Sequence, residues 1–215
     1  MLQIPSRRRS ETRERVLEVA EEAVLAKGFA ATSIEEIIAA VGITKSGFFY
    51  HFKDKADLAK ALIVRYLDRD QAILDDIFRR GDELNDDPLH GFLVGLRLFA
   101  EMLADLPAAH PGCLAASFAY QDQLFNQEIR ALNAEGLLAW RRRFRERLDL
   151  ISERYPPRLR VDFEALADMA GTLIEGGIVL GCALKDSSIL PRQIMLYREL
   201  IRSVFTPVER SSVAA

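Results

Sequence analysis

Apolar residues recur at spacings of three and four along most of this 215-residue chain, and this periodicity is the feature that most restricts its fold. One such series consists of Leu96, Phe99, Ala100 and Leu103. This spacing puts apolar side chains on one face of an α-helix, whereas a half-buried strand needs alternation. The sequence has no run of four or more strictly alternating β-branched residues and no Asn-Gly or Asp-Gly hairpin turn. An all-α fold is therefore predicted.

The N-terminal part of the chain divides into short helical segments with recognisable ends. A helix from about Ser10 to Lys27 has a single apolar stripe, and Gly28 follows it in a position suited to the left-handed conformation that ends helices. Ser33 and Glu36 have the spacing of a capping box, which predicts the start of a second helix. Gly42 ends that helix after about two turns.

A third short helix, from Lys45 to about His51, follows this glycine with Thr44 as its natural N-cap, and a fourth begins at Lys55. Two short helices joined by a glycine-containing turn predict a helix-turn-helix. To enter the major groove of DNA, the second helix needs small or polar residues on its outer face. That face is provided by Thr44, Lys45, Ser46 and Gly47. Phe48 and Phe52 are expected to point inward. A polar, basic rim suited to phosphate contacts is formed by Tyr50, His51, Lys53 and Lys55.

The segment from Thr32 to Leu58 closely resembles the N-terminal signature of the TetR family of bacterial transcriptional regulators, and the resemblance extends over about residues 10–65. It implies a three-helix DNA-binding domain followed by a helical domain for ligand binding and dimerisation. The implied function is that of a homodimeric repressor, which binds palindromic operator DNA and is released by a small-molecule effector. The alternative is a helical ligand-binding dimer that acts as an activator or does not bind DNA.

The resemblance also implies roles for individual residues. Bases would be contacted from the start of the third helix, and the DNA backbone from the residues around it. One departure is Phe49, which stands where the family most often has a tyrosine whose hydroxyl meets phosphate. The predicted DNA-binding set is Thr32, Ser33, Thr44, Lys45, Ser46, Gly47, Phe49, Tyr50, His51 and Lys55. For the basic arm Arg7-Arg8-Arg9, contact with DNA and a solvated tail both remain open.

The distribution of charge differs between the predicted DNA-binding and ligand-binding domains. The whole chain has a net charge of -3, which argues against a protein that coats nucleic acid. Residues 1–66 hold 11 Lys and Arg against 9 Asp and Glu, whereas the remainder holds 18 against 23. The predicted domains are residues 1–60 for DNA binding, 61–206 for ligand binding and dimerisation, and a tail at 207–215.

The C-terminal domain is predicted to consist of helices over about 88–105, 112–124, 126–154, 163–184 and 191–205. An aromatic-rich effector pocket is expected among its middle helices, with core packing as the alternative for each residue. The predicted lining is Phe99, Met102, Phe118, Tyr120, Trp140, Phe144 and Glu175. The last two helices would form the dimer interface, with an ordinary internal helix pair as the alternative. The predicted interface set is Leu166, Met169, Leu173, Gly177, Leu180, Ile194 and Ile201.

Other classes of function lack support in the sequence. It contains no HExxH, GxSxG or glycine-rich phosphate loop, so an enzyme is not expected. Its two cysteines have no metal-ligand spacing, and neither a metal nor another cofactor is predicted. The longest apolar stretch, Ala170 to Leu184, is interrupted by Glu175, so no membrane association is expected. With no secretory signal at its start, the chain is expected to be cytoplasmic.

Overall fold

The computed structural model describes residues 4–205, with side chains from Arg9 onward. Over this range the chain is helical and contains no strand, which confirms the all-α prediction. Its helices are α1 Ile4–Lys27, α2 Ile34–Val41, α3 Lys45–His51, α4 Lys55–Leu84, α5 Pro88–Ala104, α6 Leu114–Tyr120, α7 Gln127–Arg154, α8 Phe163–Leu184 and α9 Ile189–Phe205, with a single 3₁₀ turn at Asp122–Leu124. The predicted tail at 207–215 lies outside the described residues, as do the side chains of Arg7 and Arg8.

Two helices differ from their predicted extents. The backbone of α1 is already helical at Ile4, so the basic arm belongs to this helix rather than preceding it. The helix predicted over about 112–124 stops at Tyr120, because Gln121 leaves the helical region with φ -120° and ψ 28°. The side chain of Gln121 instead accepts a hydrogen bond from the backbone N–H of Ala30 at 3.1 Å. The end of α6 at Tyr120 thus coincides with a hydrogen bond to the distant residue Ala30, which the local sequence does not indicate.

The chain forms two compact units. The N-terminal unit comprises the residues up to Asp70 together with Pro111–Leu137, and the C-terminal unit comprises Gln71–His110 and the residues from Leu138 onward. Of the three divisions, one falls inside α4, one in the loop between α5 and α6, and one inside α7. The domain boundary expected at residue 60 also lies inside α4, and it stays a prediction.

The core of the N-terminal unit joins α1–α3 to the first turns of α4 and to α6. Its aromatic centre is Phe29, whose ring lies 5.7 Å from that of Phe118 and 4.9 Å from that of Phe125. Phe118 and Phe125 stack on each other at 4.3 Å. Helix α6 is therefore part of the same hydrophobic core as the predicted helix-turn-helix.

The C-terminal unit is built around α9, which packs against both α5 and α8. An aromatic cluster fills the space between α4, α5 and α7, with the ring of Phe78 at 5.6 Å from Phe92 and 5.5 Å from Phe144. Gly81 allows α4 to approach α5 closely, since a Cβ atom there would lie 2.4 Å from the carbonyl oxygen of Gly91.

Candidate nucleic-acid interface

Helices α2 and α3 have the ends that the sequence predicts. Ser33 caps α2 by accepting a hydrogen bond from the N–H of Glu36 at 3.1 Å. Gly42 ends this helix with φ 76° and ψ 34°, the left-handed conformation that glycine adopts without steric cost. Thr44 then caps α3 by accepting from the N–H of Gly47 at 3.1 Å. The tight turn between the two helices is therefore held by local hydrogen bonds.

The inner face of α3 is anchored by aromatic side chains. Phe48 is 0% exposed and Phe52 is 1% exposed, which confirms that both point inward. Their rings lie 5.5 Å apart, and Ile37 of α2 is buried in the same cluster. Because these anchors fix the rotation of α3, they also determine which of its side chains face outward.

The outer face of α3 begins with small and polar groups. Thr44, Lys45 and Ser46 are exposed, and the hydroxyls of Thr44 and Ser46 share a hydrogen bond of 3.0 Å. Further along the helix, Phe49 is 43% exposed and Tyr50 is 62% exposed. This surface has the size and polarity that a major-groove reading helix requires.

Two arginines of α1 border this face. The guanidinium group of Arg9 lies 4.6 Å from the centre of the Tyr50 ring, and that of Arg13 lies 5.2 Å from the Phe52 ring. Burial, together with the charges of Arg9 and Arg13, lowers the pKa of His51. At neutral pH we therefore expect His51 to offer a neutral N–H group rather than a positive charge.

Arg13 is not among the DNA-binding residues predicted from the sequence, and the contact of Arg9 with Tyr50 is not predicted either. Arg9 and Arg13 are four residues apart, a spacing that puts them on one face of a helix, so the signal was present. Recognising it would have required the helix to be extended back through the basic arm.

Two members of the predicted DNA-binding set, Thr32 and Lys55, have partners in the turn between α1 and α2. Thr32 is only 1% exposed, and its hydroxyl donates to the carbonyl of Gly28 at 3.0 Å. The ammonium group of Lys55 donates to the carbonyl of Phe29 at 2.8 Å and lies 4.6 Å from the centre of its ring. Burial lowers the pKa of Lys55. In this structure both side chains hold the turn between α1 and α2.

The comparisons with known proteins agree with this geometry. A family model described as bacterial regulatory proteins of the tetR family matches residues 16–62, which include α2 and α3. The chain is 30% identical over 120 residues to the transcriptional regulator AcuR of Cereibacter sphaeroides, a match that covers 54% of this chain and 52% of AcuR. It is 44% identical over 48 residues to the regulator AcrR of Shigella flexneri, covering 22% of each chain.

A crystal structure of a TetR transcriptional regulator from Chloroflexus aurantiacus resembles nearly the whole fold. It superimposes with a TM-score of 0.74 at 25% identity, covering 93% of this chain and 98% of that one. Residues 16–62 are a TetR-family DNA-binding domain. The sequence matches span about half the length of AcuR and about a fifth of the length of AcrR.

The effector-pocket residues predicted from the sequence are distributed over both units of the chain. Phe99 and Phe144 border a cavity of about 10 Å³ in the C-terminal unit, room for about one water molecule. Trp140 stacks on Phe144 at 5.9 Å, and Glu175 is partly buried. Met102 is 37% exposed.

The other two predicted lining residues lie in the N-terminal unit. Phe118 is part of the aromatic centre around Phe29, and Tyr120 is 78% exposed. A residue pattern on α6 could not show which unit this helix joins, because its packing depends on partners far away in the sequence.

A larger groove, of about 860 Å³, runs along the surface of the C-terminal unit between α4 and α7. Charged side chains dominate its lining, in contrast to the apolar pocket that the sequence suggested. Arg147, for example, donates to Asp82 at 2.7 Å and lies over the ring of Phe78 at 5.0 Å.

Four residues of the predicted dimer interface are buried within the chain. Leu166, Ile194 and Ile201 are 5%, 3% and 0% exposed, and a Cβ atom at Gly177 would lie 3.0 Å from the Cα atom of Leu190. These residues pack α8 against α9 in one protomer. Of the remaining predicted residues, Leu173 is partly buried, whereas Met169 and Leu180 are 39% and 49% exposed.

Helix α8 nevertheless has an apolar face that the described part of the chain leaves uncovered. Met169, Gly176, Leu180 and Leu184 follow one another at spacings of seven, four and four residues, which places them on one side of the helix. A Cβ atom at Gly176 would meet no atom within 4 Å. We call these four residues the α8 apolar face.

Among the described residues, α8 is also the only helix long and apolar enough to cross a membrane by length and composition. About a third of its most apolar segment is buried. Two acidic side chains of this helix, Glu164 and Asp168, form ion pairs with Arg141 of α7.

Proposed function

We propose that this protein regulates transcription by binding operator DNA through α3. The observation that carries the proposal is the two-sided character of this helix, with Phe48 and Phe52 buried while Lys45 and Ser46 are exposed at its start. In a helix-turn-helix, the N-terminal residues of the second helix contact base edges in the major groove. The TetR-family domain at residues 16–62 supports the same assignment.

The protein acts as a homodimer in this proposal, and a second copy covers the α8 apolar face. Leu180 and Leu184 are 49% and 67% exposed, and Leu196 on α9 is 60% exposed. Exposed leucines of this kind are typical of a surface that is buried on association. Gly176, which no neighbour in its own chain requires, would let the partner's helix approach the backbone closely.

A twofold dimer presents two copies of α3 and therefore binds a nearly palindromic operator. Its half-sites are expected to lie one helical turn of DNA, or a multiple of it, apart. As a repressor, the dimer would occupy this operator until an effector binds. The effector must prefer a conformation in which the two α3 helices no longer match the groove spacing.

The proposed effector is a small molecule held by the C-terminal unit. The cavity beside Phe99 and Phe144 is far below the roughly 300–1,000 Å³ that drug-sized ligands occupy, so binding there requires the cavity to open. Native mass spectrometry of the purified protein would identify a retained molecule. No catalytic role is part of this proposal, and a regulator of bacterial genes would act in the cytoplasm.

The test of DNA binding compares Lys45→Ala with Lys60→Ala. The side chain of Lys60 is 44% exposed, but it lies on α4 and forms an ion pair with Glu128 at 2.5 Å. The probe is the DNA upstream of the protein's own gene. We expect Lys45→Ala to weaken binding at the site that the wild type protects and to alter the base preference at that site. Lys60→Ala should bind as the wild type does. Failure of the wild type to protect any sequence, or equal losses in both variants, would contradict the assignment of α3.

A further inference from the structure

An ion pair connects the two helices of the helix-turn-helix at the start of α3. The ammonium group of Lys45 lies 3.4 Å from the Oε1 atom of Glu35, which is in the first turn of α2. Both side chains are largely exposed, at 68% and 71%. The backbone N–H of Glu35 and the charge of Lys45 lower the pKa of this carboxyl group, so it is ionised at neutral pH. A fixed negative charge therefore lies beside the first cation of the proposed reading helix.

The next residue along α2 forms a similar pair that is directed elsewhere. Glu36 binds the ammonium group of Lys27, the last residue of α1, at 2.5 Å. Both glutamates thus lie in the same helical turn, and each pairs with a different lysine, but only Glu35 is paired with a residue of α3. This difference makes Glu36 a matched control for Glu35.

The Lys45–Glu35 pair is complementary to a G·C base pair. In the major groove, guanine offers the acceptors O6 and N7, and cytosine offers the N4 amino group as a donor. Lysine donates to guanine at these atoms, and glutamate accepts from cytosine N4. A donor and an acceptor held 3.4 Å apart can therefore satisfy both bases of one pair.

We propose that Glu35 is a specificity-determining residue, which together with Lys45 reads a G·C base pair in each half-site. This inference rests on the proposed function and adds the base pair that the site prefers. Glu35 also discriminates against non-specific DNA, because its carboxylate repels phosphate oxygens and competes with them for the Lys45 ammonium. In the specific complex, the cytosine amino group offsets that repulsion.

The experiment is selection from random DNA duplexes by the full-length protein, followed by titration of the selected duplex and its single-base variants. Glu35→Gln is compared with Glu36→Gln, and both are checked for wild-type thermal unfolding. We expect the wild type to require G·C at one position of each half-site. Glu35→Gln should lower the discrimination at that position by about two- to fivefold, the range that exposed ion pairs support. Glu36→Gln should leave it unchanged.

A second measurement tests whether Glu35 acts together with Lys45. In a Lys45→Met background, Glu35→Gln should change the discrimination at this position by less than it does in the wild type, since neighbouring residues are coupled. Glu35→Gln alone should also bind a random duplex more tightly, with a steeper dependence on salt, because the freed lysine gains a phosphate contact.

The results of these experiments distinguish a failure of the proposed function from a failure of this inference. If the wild type enriches no motif, both the proposed function and this inference are wrong. If the wild type enriches a motif but Glu35→Gln has the same base preferences, only the inference is wrong. It is also overturned if Glu36→Gln relaxes the same position equally, because the effect would then reflect the charge of α2 and not the contact with Lys45.

Discussion

Lys55→Ala should destabilise the N-terminal unit, whatever its effect on DNA binding. The lysine donates to the carbonyl of Phe29 at 2.8 Å in a part-buried position, and its ammonium group lies 4.6 Å from the ring. A hydrogen bond from a charged group contributes about 1.5–3 kcal/mol, and a cation–π contact near the surface adds about 0.5–1 kcal/mol. Since the side chain is only partly buried, we expect a loss near the lower end, about 2 kcal/mol in the free energy of unfolding.

The assay is urea unfolding of the full chain, compared with Lys53→Ala. Lys53 is exposed two residues before Lys55 and belongs to the same basic rim. We expect Lys53→Ala to unfold like the wild type and to lower the salt dependence of DNA binding, whereas Lys55→Ala shifts the unfolding midpoint. If Lys55→Ala keeps the wild-type midpoint and only lowers the salt dependence, then Lys55 is a phosphate contact and the internal role derived from Phe29 is refuted.

Three further substitutions have definite expected outcomes. Burial, and the charge of Glu21, raise the pKa of Asp70 to about 6, above its unfolded value. The stability that protonated Asp70 contributes is therefore fully present below about pH 4 and is lost as the pH rises through 6. Asp70→Asn should therefore stabilise the protein by about 1–2 kcal/mol at pH 7.5, measured by urea unfolding, and by almost nothing near pH 4. Phe49→Tyr places a hydroxyl on a side chain that is 43% exposed, and should tighten operator binding in titrations by about two- to tenfold. Gly81→Ala forces a Cβ atom to 2.4 Å from the oxygen of Gly91, and should cost about 1–3 kcal/mol and lower the melting temperature.

Each of these expectations has its own contrary result. A gain from Asp70→Asn that is the same at pH 4 and pH 7.5 would show that proton binding is not its source. Operator affinity of Phe49→Tyr equal to that of the wild type would mean that this face of α3 does not meet phosphate. A wild-type melting temperature for Gly81→Ala would show that α4 and α5 separate there at little cost.

The features that sequence reasoning predicted well depend on nearby residues. Gly42 ends α2, and Ser33 and Thr44 cap their helices through hydrogen bonds to groups three residues away. The inward direction of Phe48 follows from the helical period alone. Such interactions join residues within one or two helical turns of each other in the sequence, and for this reason the bounds of the helix-turn-helix could be predicted almost to the residue.

The features that it did not predict depend on residues far apart in the chain. Glu35 and Lys45 are separated by ten positions, and Gln121 meets Ala30 across 91. Phe118, which the sequence predicts to line an effector pocket, packs against Phe29, a contact that its local sequence does not indicate. The α8 apolar face likewise required knowledge of which side of α8 its own chain covers.

Footprinting of the full-length protein on a selected duplex, with the stoichiometry of the complex measured alongside, tests whether a twofold dimer reads DNA with α3. The account predicts two protein chains per duplex and two protected half-sites of a near-palindrome, one helical turn of DNA or a multiple of it apart. It also predicts that Leu180→Glu, which places a charge on the α8 apolar face, abolishes this footprint while the chain still folds. One chain bound to an asymmetric site, or an unchanged footprint with Leu180→Glu, would contradict the account.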